Sequence, residues 1–236
     1  MTHGKNPSNG IGTLNEKPLH ASLKAWYAEE GDLFEVPVDG FVVDIVRDRL
    51  LIEIQTSAVG PIRRKLTTLV KRHPIRLILP VAVRKTIVAL DSQGVEDSTR
   101  KSPKRGALLD AFLEFVSVPH LLADPNFGVE VVLIHVAEVR KPRSTPKRRW
   151  RQKDWEVHER RLVEIVDHAA LDHPGDFLSV LPTTLEEPFT TADLARELGR
   201  PRWLAQKIAY CLREMGTIVA VGRSKHGIEY LRCYSA

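Results

Sequence analysis

The stretch VDGFVVDIVRDRLLIEIQT, residues 38–56, decides how this chain is read. Two apolar, β-branched runs flank the polar pair Asp48-Arg49, the pattern of two strands joined by a short turn. If that pair is the whole loop, Arg47 pairs with Leu50, Ile45 with Ile52, and Asp44 lies opposite Glu53. Side chains alternate with a period of two along a strand. Asp44, Glu53 and Gln55 then share one face, while Val43, Ile45, Ile52 and Ile54 fill the other. Cross-strand neighbours stand about 5 Å apart at Cβ, close enough for two carboxylates to repel and for one to hold its proton more tightly. A divalent cation relieves that repulsion. Carboxylate oxygens completed by water and substrate phosphates describe a Mg²⁺ site, and such an ion polarises a phosphoryl oxygen or supplies a bound nucleophile. The same alternation also describes the wet face of an amphipathic hairpin, so spacing alone leaves both readings open.

Outward from the hairpin, strands and helices alternate. Residues 14–28 carry Leu19, Leu23, Ala25 and Trp26 at helical spacing, and residues 61–72 place Ile62, Leu66, Leu69 and Val70 on one stripe. Residues 35–46, 50–56, 75–81, 86–90 and 129–139 read as strands, and 108–116 as a further helix. This order predicts an α/β or α+β layered sheet. Residues 1–12 read as a disordered polar arm. Residues 141–153 hold Pro142 and Pro146 and read as a linker or exposed loop; 155–170 read as a helix and 174–188 as a second loop.

The chain has 236 residues, 43% of them apolar and 28% charged, enough for one large domain or two small ones and unlike a fibrous or disordered chain. No apolar run approaches the roughly 20 residues of a spanning helix, and the first residues lack the apolar core of a secretion signal. Cys211 and Cys233 are the only cysteines, too few for a disulfide framework or a zinc ribbon. A cytoplasmic location is the expectation. The net charge of +5 hints only weakly at a polyanionic partner, but its distribution says more. From Arg140 to Lys153 there are eight basic residues and no acid, with Trp150 inside the run and Trp155 just after it. Basic residues with aromatics suit phosphate tracking and base stacking, here through Arg148, Arg149 and Arg151. A solvated linker has the same composition.

Asp44, eight intervening residues, then Glu53-Ile54-Gln55 after an apolar run resembles the core of the PD-(D/E)XK nucleases. LIEIQTS is similar to the Glu-x-Gln variant of competence-associated nuclease-like proteins and some restriction enzymes. Residues 15–20 resemble the first core helix, and the helix and strand after the hairpin continue the family's order over roughly residues 13–140. The resemblance implies a restriction-endonuclease-like mixed sheet flanked by helices. It implies that Asp44 and Glu53 are metal ligands for Mg²⁺ or Mn²⁺, with the carbonyl of Ile54 completing the site. Gln55 stands where the family usually has lysine; it can hydrogen-bond a water but carries no charge. Glu16 is implied as an auxiliary acid. Asp39 fits less well, near the end of its strand. Lys17, His20 and Lys65 read more simply as solvated helix faces, and His73 as a cap on the helix before it. The histidines have no zinc spacing, and neither a nucleophile elbow, a P-loop nor a Rossmann pattern occurs.

The last stretch changes character. Thr190 suits an N-cap with Asp193 three residues on, Gly199 ends that helix, and Pro201 opens the next, which Gly216 stops. Leu204, Ile208, Cys211 and Leu212 form its buried stripe, and two short strands follow around residues 222–227. This order resembles a winged helix-turn-helix over residues 176–236. The resemblance implies that the second helix enters the major groove. Arg202 and Gln206 would read bases there, Lys207 and Arg213 would contact phosphates, and Arg223 and Lys225 would touch the backbone from the wing.

Together these expectations describe a two-domain, metal-dependent endonuclease delivered to DNA by its C-terminal unit, with residues 141–175 as a basic connection. A homodimer or larger DNA-processing complex is compatible with it. The alternatives are a DNA-binding regulator that has lost catalysis, signalled by Gln55, and an interaction subunit of a repair or defence assembly.

Overall fold

A computed structural model describes residues 17–143 and 154–233. Helix α1 (Pro18–Tyr27) starts at a proline, whose missing N–H costs nothing at a helix N-terminus. Three strands follow: β1 (Leu33–Val38), β2 (Phe41–Arg47) and β3 (Leu50–Ile54). The stretch read as one strand over 35–46 is therefore two strands, folded at Asp39-Gly40. Both turn residues have positive φ, 47° and 83°, the conformation an Asp-Gly pair adopts most readily in a two-residue hairpin. The second hairpin has the expected register, with Arg47 on Leu50 and Ile45 on Ile52.

After β3 the chain passes through α2 (Arg63–Leu69) into β4 (Ile75–Leu90), which lies parallel to β3. The two short strands expected at 75–81 and 86–90 are one continuous strand with an irregularity near Ala82. One edge of β4 serves β3 over its first residues and then β5 (Glu96–Lys101) over its last. Pairing with β3 ends at Ile78, and Pro80 has no N–H with which to extend it. Past α3 (Phe112–Phe115), β6 (Phe127–Pro142) pairs with the other edge of β4, and β7 (Trp155–Leu171) closes the sheet. Among the described residues this is a seven-stranded mixed sheet in the order β1-β2-β3-β4-β6-β7, with β5 on β4. The architecture is α/β, a large mixed sheet flanked by helices.

The helix expected over 155–170 is a strand, β7, and the reason is visible in its register. Against β6, the partners of β7 skip His158, Val163 and Val166. Each extra residue is a bulge that shifts the in-out alternation by one. The more buried positions then fall at Glu159, Leu162, Ile165 and Ala169, a spacing that imitates one face of a helix. Residues 155–171 are thus not a connecting helix. Lys141 and Pro142 end β6, and β7 belongs to the sheet.

Each face of the sheet has its own core. On one side Leu19 and Leu23 of α1 pack on Ile45, Ile52, Ile54, Ile78, Val132, Ile134 and Val136. On the other, Leu66 and Leu69 of α2 and Phe112 and Phe115 of α3 pack on Leu51, Leu77, Leu79, Val129 and Val131. That second core continues into the C-terminal unit: α4 (Pro174–Leu178), α5 (Thr191–Glu197), α6 (Arg202–Glu214) and the hairpin of β8 (Ile218–Ser224) and β9 (Gly227–Arg232). The Phe177 ring of α4 meets Phe115 edge-on at 5.7 Å and Phe112 at 6.5 Å. Leu204, Ile208, Cys211 and Leu212 of α6 join the same cluster, so the described part of the C-terminal unit shares one apolar core with the sheet. Thr190 caps α5 in a reciprocal box with Asp193, as its sequence predicts.

Beyond the helices, the long strands run on as an arm. There Glu138 of β6 is buried yet meets Lys85 at 3.0 Å, Arg140 at 2.7 Å and Arg160 at 3.3 Å. Burial works against this carboxylate, but the hydrogen bonds from Arg140 and Lys85 outweigh it and hold its pKa at about 2. A depressed carboxylate contributes stability above its unfolded pKa and loses it as pH falls through the folded value. Stability is therefore expected to fall between about pH 4.5 and 2, and Glu138→Gln to flatten that part of the profile in urea denaturation.

Candidate active site

The hairpin brings Asp44 of β2 and Glu53 of β3 together in an arrangement that ordinary pairing does not give. The ladder between the two strands stops at Ile45–Ile52. At the next position side chains replace it. The Ile54 N–H donates to Asp44 Oδ2 at 2.7 Å, and the Asp44 N–H faces the Glu53 carboxylate. Each acid thus accepts from the backbone of the opposite strand. The strand turns over here as well: Val43 lies in the α2–α3 core and Ile45 in the α1 core, although residues two apart in a regular strand share a face. Glu35, beside this point in β1, has φ of 52°.

Two side chains from helices complete the site. His20 Nε2 of α1 lies 3.2 Å from Asp44 Oδ2. Arg47 fixes the helix end to the hairpin, donating to the Tyr27 carbonyl at 2.5 Å, and meets both Asp32 oxygens at 2.9 Å. From the other side of the sheet, Lys65 Nζ of α2 donates to Glu53 Oε2 and, at 2.6 Å, to the Val42 carbonyl. Lys65 is only 13% exposed and Glu53 8%, so this is a buried ion pair. Burial and the neighbouring Asp44 charge push Glu53 up to about 7, against the pull of Lys65. Burial also opposes ionisation of Asp44, but His20, the Ile54 N–H and Lys65 outweigh it and hold that carboxyl below the usual range. One acid is pushed up, first by burial, and the other is held down by its hydrogen bonds.

Several expectations are revised by this geometry. Gln55 does not join the two acids. Its amide donates to Ser57 Oγ at 3.0 Å and the Ala58 carbonyl at 2.6 Å, and it lines a separate cleft of about 370 Å³ with Pro80, Ala82, Gly106 and Asp110. That cleft lies along the part of β4 that neither β3 nor β5 covers. Lys65 and His20 are not solvated faces; both touch the acids. The His73 ring, expected on the last helix carbonyls, lies 3.3 Å from Asp39. Glu16 lies outside the described residues.

Asp44 and Glu53 offer carboxylate oxygens, and the Ile54 carbonyl leaves the same strand edge as the N–H that meets Asp44. Lys65 already answers the charge of Glu53 and His20 meets Asp44, so an ion here would share the acids with these partners. Among the described residues no set of three or more His, Cys, Asp or Glu side chains is placed to hold a metal ion. Any ion here would rely on two carboxylates plus water and substrate, the mode usual for Mg²⁺.

In the C-terminal unit, Arg202, Gln206, Tyr210 and Arg213 of α6 face Arg223 of β8 and Ile228 and Tyr230 of β9 across a cleft of about 370 Å³. Arg202 donates to the His226 carbonyl at 2.9 Å, tying helix to hairpin. Arg213 shares its charge with Glu214 at 2.9 Å. Lys207 is half-buried, outside this cleft, and Lys225 is exposed at the hairpin turn. Trp203 and Tyr210 are exposed aromatics on α6 that the sequence reading passed over. Arg148, Arg149 and Arg151 lie outside the described residues. No helix among the described residues is long and apolar enough to cross a membrane.

Comparison with known proteins adds the chain's kinship. A protein of Treponema pallidum (strain Nichols), described as uncharacterized, is 32% identical over 187 residues, spanning 79% of this chain and 74% of its own length. No solved structure matches. A family described as a domain of unknown function, DUF8091, matches residues 17–172. Those bounds run from the start of α1 to the end of β7, taking in the sheet and the whole carboxylate site. The chain belongs to the DUF8091 family.

Proposed function

We propose that this chain is a metal-dependent, nuclease-like phosphodiester hydrolase acting on DNA, with a restriction-endonuclease-like sheet. The observation that carries the reading is the crossed Asp44–Glu53 pair with Lys65 seated on it. In this reading Asp44, Glu53 and the Ile54 carbonyl hold Mg²⁺ or Mn²⁺. When bound, the ion supplies polarisation of a phosphoryl oxygen. Lys65 provides the positive charge that Gln55 lacks, so the absence of lysine at position 55 is no longer an argument for lost catalysis. His20 fixes the orientation of Asp44 and, through it, the β2–β3 gap.

The C-terminal unit takes the part of a winged helix in this proposal. Arg202, Gln206 and Arg213 on α6, with Arg223 and Lys225 on the hairpin, supply its contacts to DNA, and Trp203 and Tyr210 add aromatic surface. Their clustering on one side of α6 supports the assignment. Cleavage of supercoiled plasmid and single-stranded DNA in Mg²⁺ or Mn²⁺ tests the enzyme. The wild type is expected to cut, and Glu53→Gln to cut at least about 100-fold more slowly, the scale for losing one preorganised charge interaction in a transition state. A wild type that cuts neither substrate, or a variant that cuts as fast, would sink the proposal.

A further inference from the structure

The cations of the sheet arm are not evenly matched with acids. Arg84 pairs with Glu164, Lys141 with Glu156, and Arg161 with Glu159. Lys85, Arg140 and Arg160 instead share the single carboxylate of Glu138. Glu138 is 4% exposed, whereas Lys85 is 26% and Arg160 44% exposed. The carboxylate is thus an internal anchor, and the surplus positive charge faces outward. The Arg140 guanidinium lies over the Trp155 ring, 3.4 Å from its centroid, which holds it flat and pre-oriented.

The position of this cluster is also informative. Along β6, Glu138 and Arg140 continue the alternation of Ile134 and Val136, whose side chains pack under α1. By the sheet register Glu53 stands level with Leu77 of β4 and Val129 of β6, so Glu138 lies nine residues farther along β6 than the Asp44–Glu53 pair. Nine strand residues cover about 30 Å. That span equals about nine nucleotide steps at 3.4 Å each, within the reach of a strand of 20 residues.

We propose that Lys85, Arg140 and Arg160, gathered on Glu138, form a phosphate-backbone platform for a nucleic-acid strand leading into the Asp44–Glu53 site. The inference rests on the phosphodiesterase reading for the direction of the strand but not for the binding itself. Lys85 and Arg160 each contact a phosphate, and Arg140 is the positioning group that Trp155 braces.

The test is fluorescence anisotropy with labelled single-stranded and duplex DNA of 20 residues in EDTA, over 50 to 200 mM salt. The double variant Lys85→Gln/Arg160→Gln is expected to bind about tenfold more weakly, with a log–log salt slope shallower by about 2, the loss of two phosphate contacts. Arg160→Gln alone, at the most exposed position, is expected to give half that change in slope with its thermal melt unchanged. The strand form with the larger change in slope is the one the platform holds. Affinity and slope unchanged in both variants would overturn the proposal, as would a wild type that binds neither DNA. Glu53→Gln separates the two readings: if it binds normally but does not cut, the platform and the hairpin stand together; if wild type binds through the platform but never cuts, only the hydrolase reading falls.

Discussion

Phe177→Ala will lower the stability of the chain by about 3–5 kcal/mol, the usual cost of emptying a buried phenylalanine site. Phe177 is 1% exposed and belongs to α4, the first element after the sheet. Its ring stands edge-on to Phe115 and Phe112, and the same core takes in the buried stripe of α6. The neighbours that would collapse into the space come from both parts of the chain. Urea unfolding followed by tryptophan fluorescence and by far-UV circular dichroism is therefore expected to show one shifted transition in both signals. Separate transitions would mean that residues 176–236 melt on their own and that the shared core contributes little.

Lys65→Met will be as costly, about 3–5 kcal/mol, because it leaves a buried acid beside a second one with no cation. Glu53 accepts from Lys65, and both side chains are largely hidden from water. Retention of a proton by Glu53, already pushed up to about 7, relieves part of the loss. Glu53→Gln removes the charge that Lys65 answers, so Lys65→Met/Glu53→Gln is expected to be more stable than Lys65→Met alone. A double-mutant cycle in urea measures the coupling. Strict additivity would show that the pair contributes nothing and that Lys65 is held only by the Val42 carbonyl.

The hairpin was legible in the sequence because everything that sets it is local. The alternation of residues 41–54 and the short turn at Asp48-Arg49 give the register without reference to the rest of the chain. What the alternation hid was the reversal at Asp44, where side chains take over from the backbone ladder. By strict period two, Gln55 belongs with Glu53, but strand β3 ends at Ile54 and the loop after it claims the Gln55 amide. Lys65 could not be assigned from its own helix, since a lysine between Arg64 and Leu66 looks like any solvated cation until the helix is docked on β3. Glu138 and its cations lie on three strands and carry no motif. The strand β7 was misread for a different reason: its bulges give it a period near that of a helix. The polar strand β5 has no apolar alternation at all and is made a strand by pairing with β4.

Those bulges in β7 also bear on how the molecule behaves in a crowd. A long, open sheet edge is a template on which another chain can add itself, and repeated addition leads to aggregates. Strand β7 is the last in the sheet, and Val157, Val163 and Val166 are exposed along it, so it has the length and the apolar character that invite this. The extra residues at 158, 163 and 166 break its register, and the longest stretch they leave uninterrupted is 167–171. A straight strand offered to this edge would match for a few residues and then fall out of step. The same irregularity that disguises the strand as a helix in the sequence makes it a poor seed for a growing sheet.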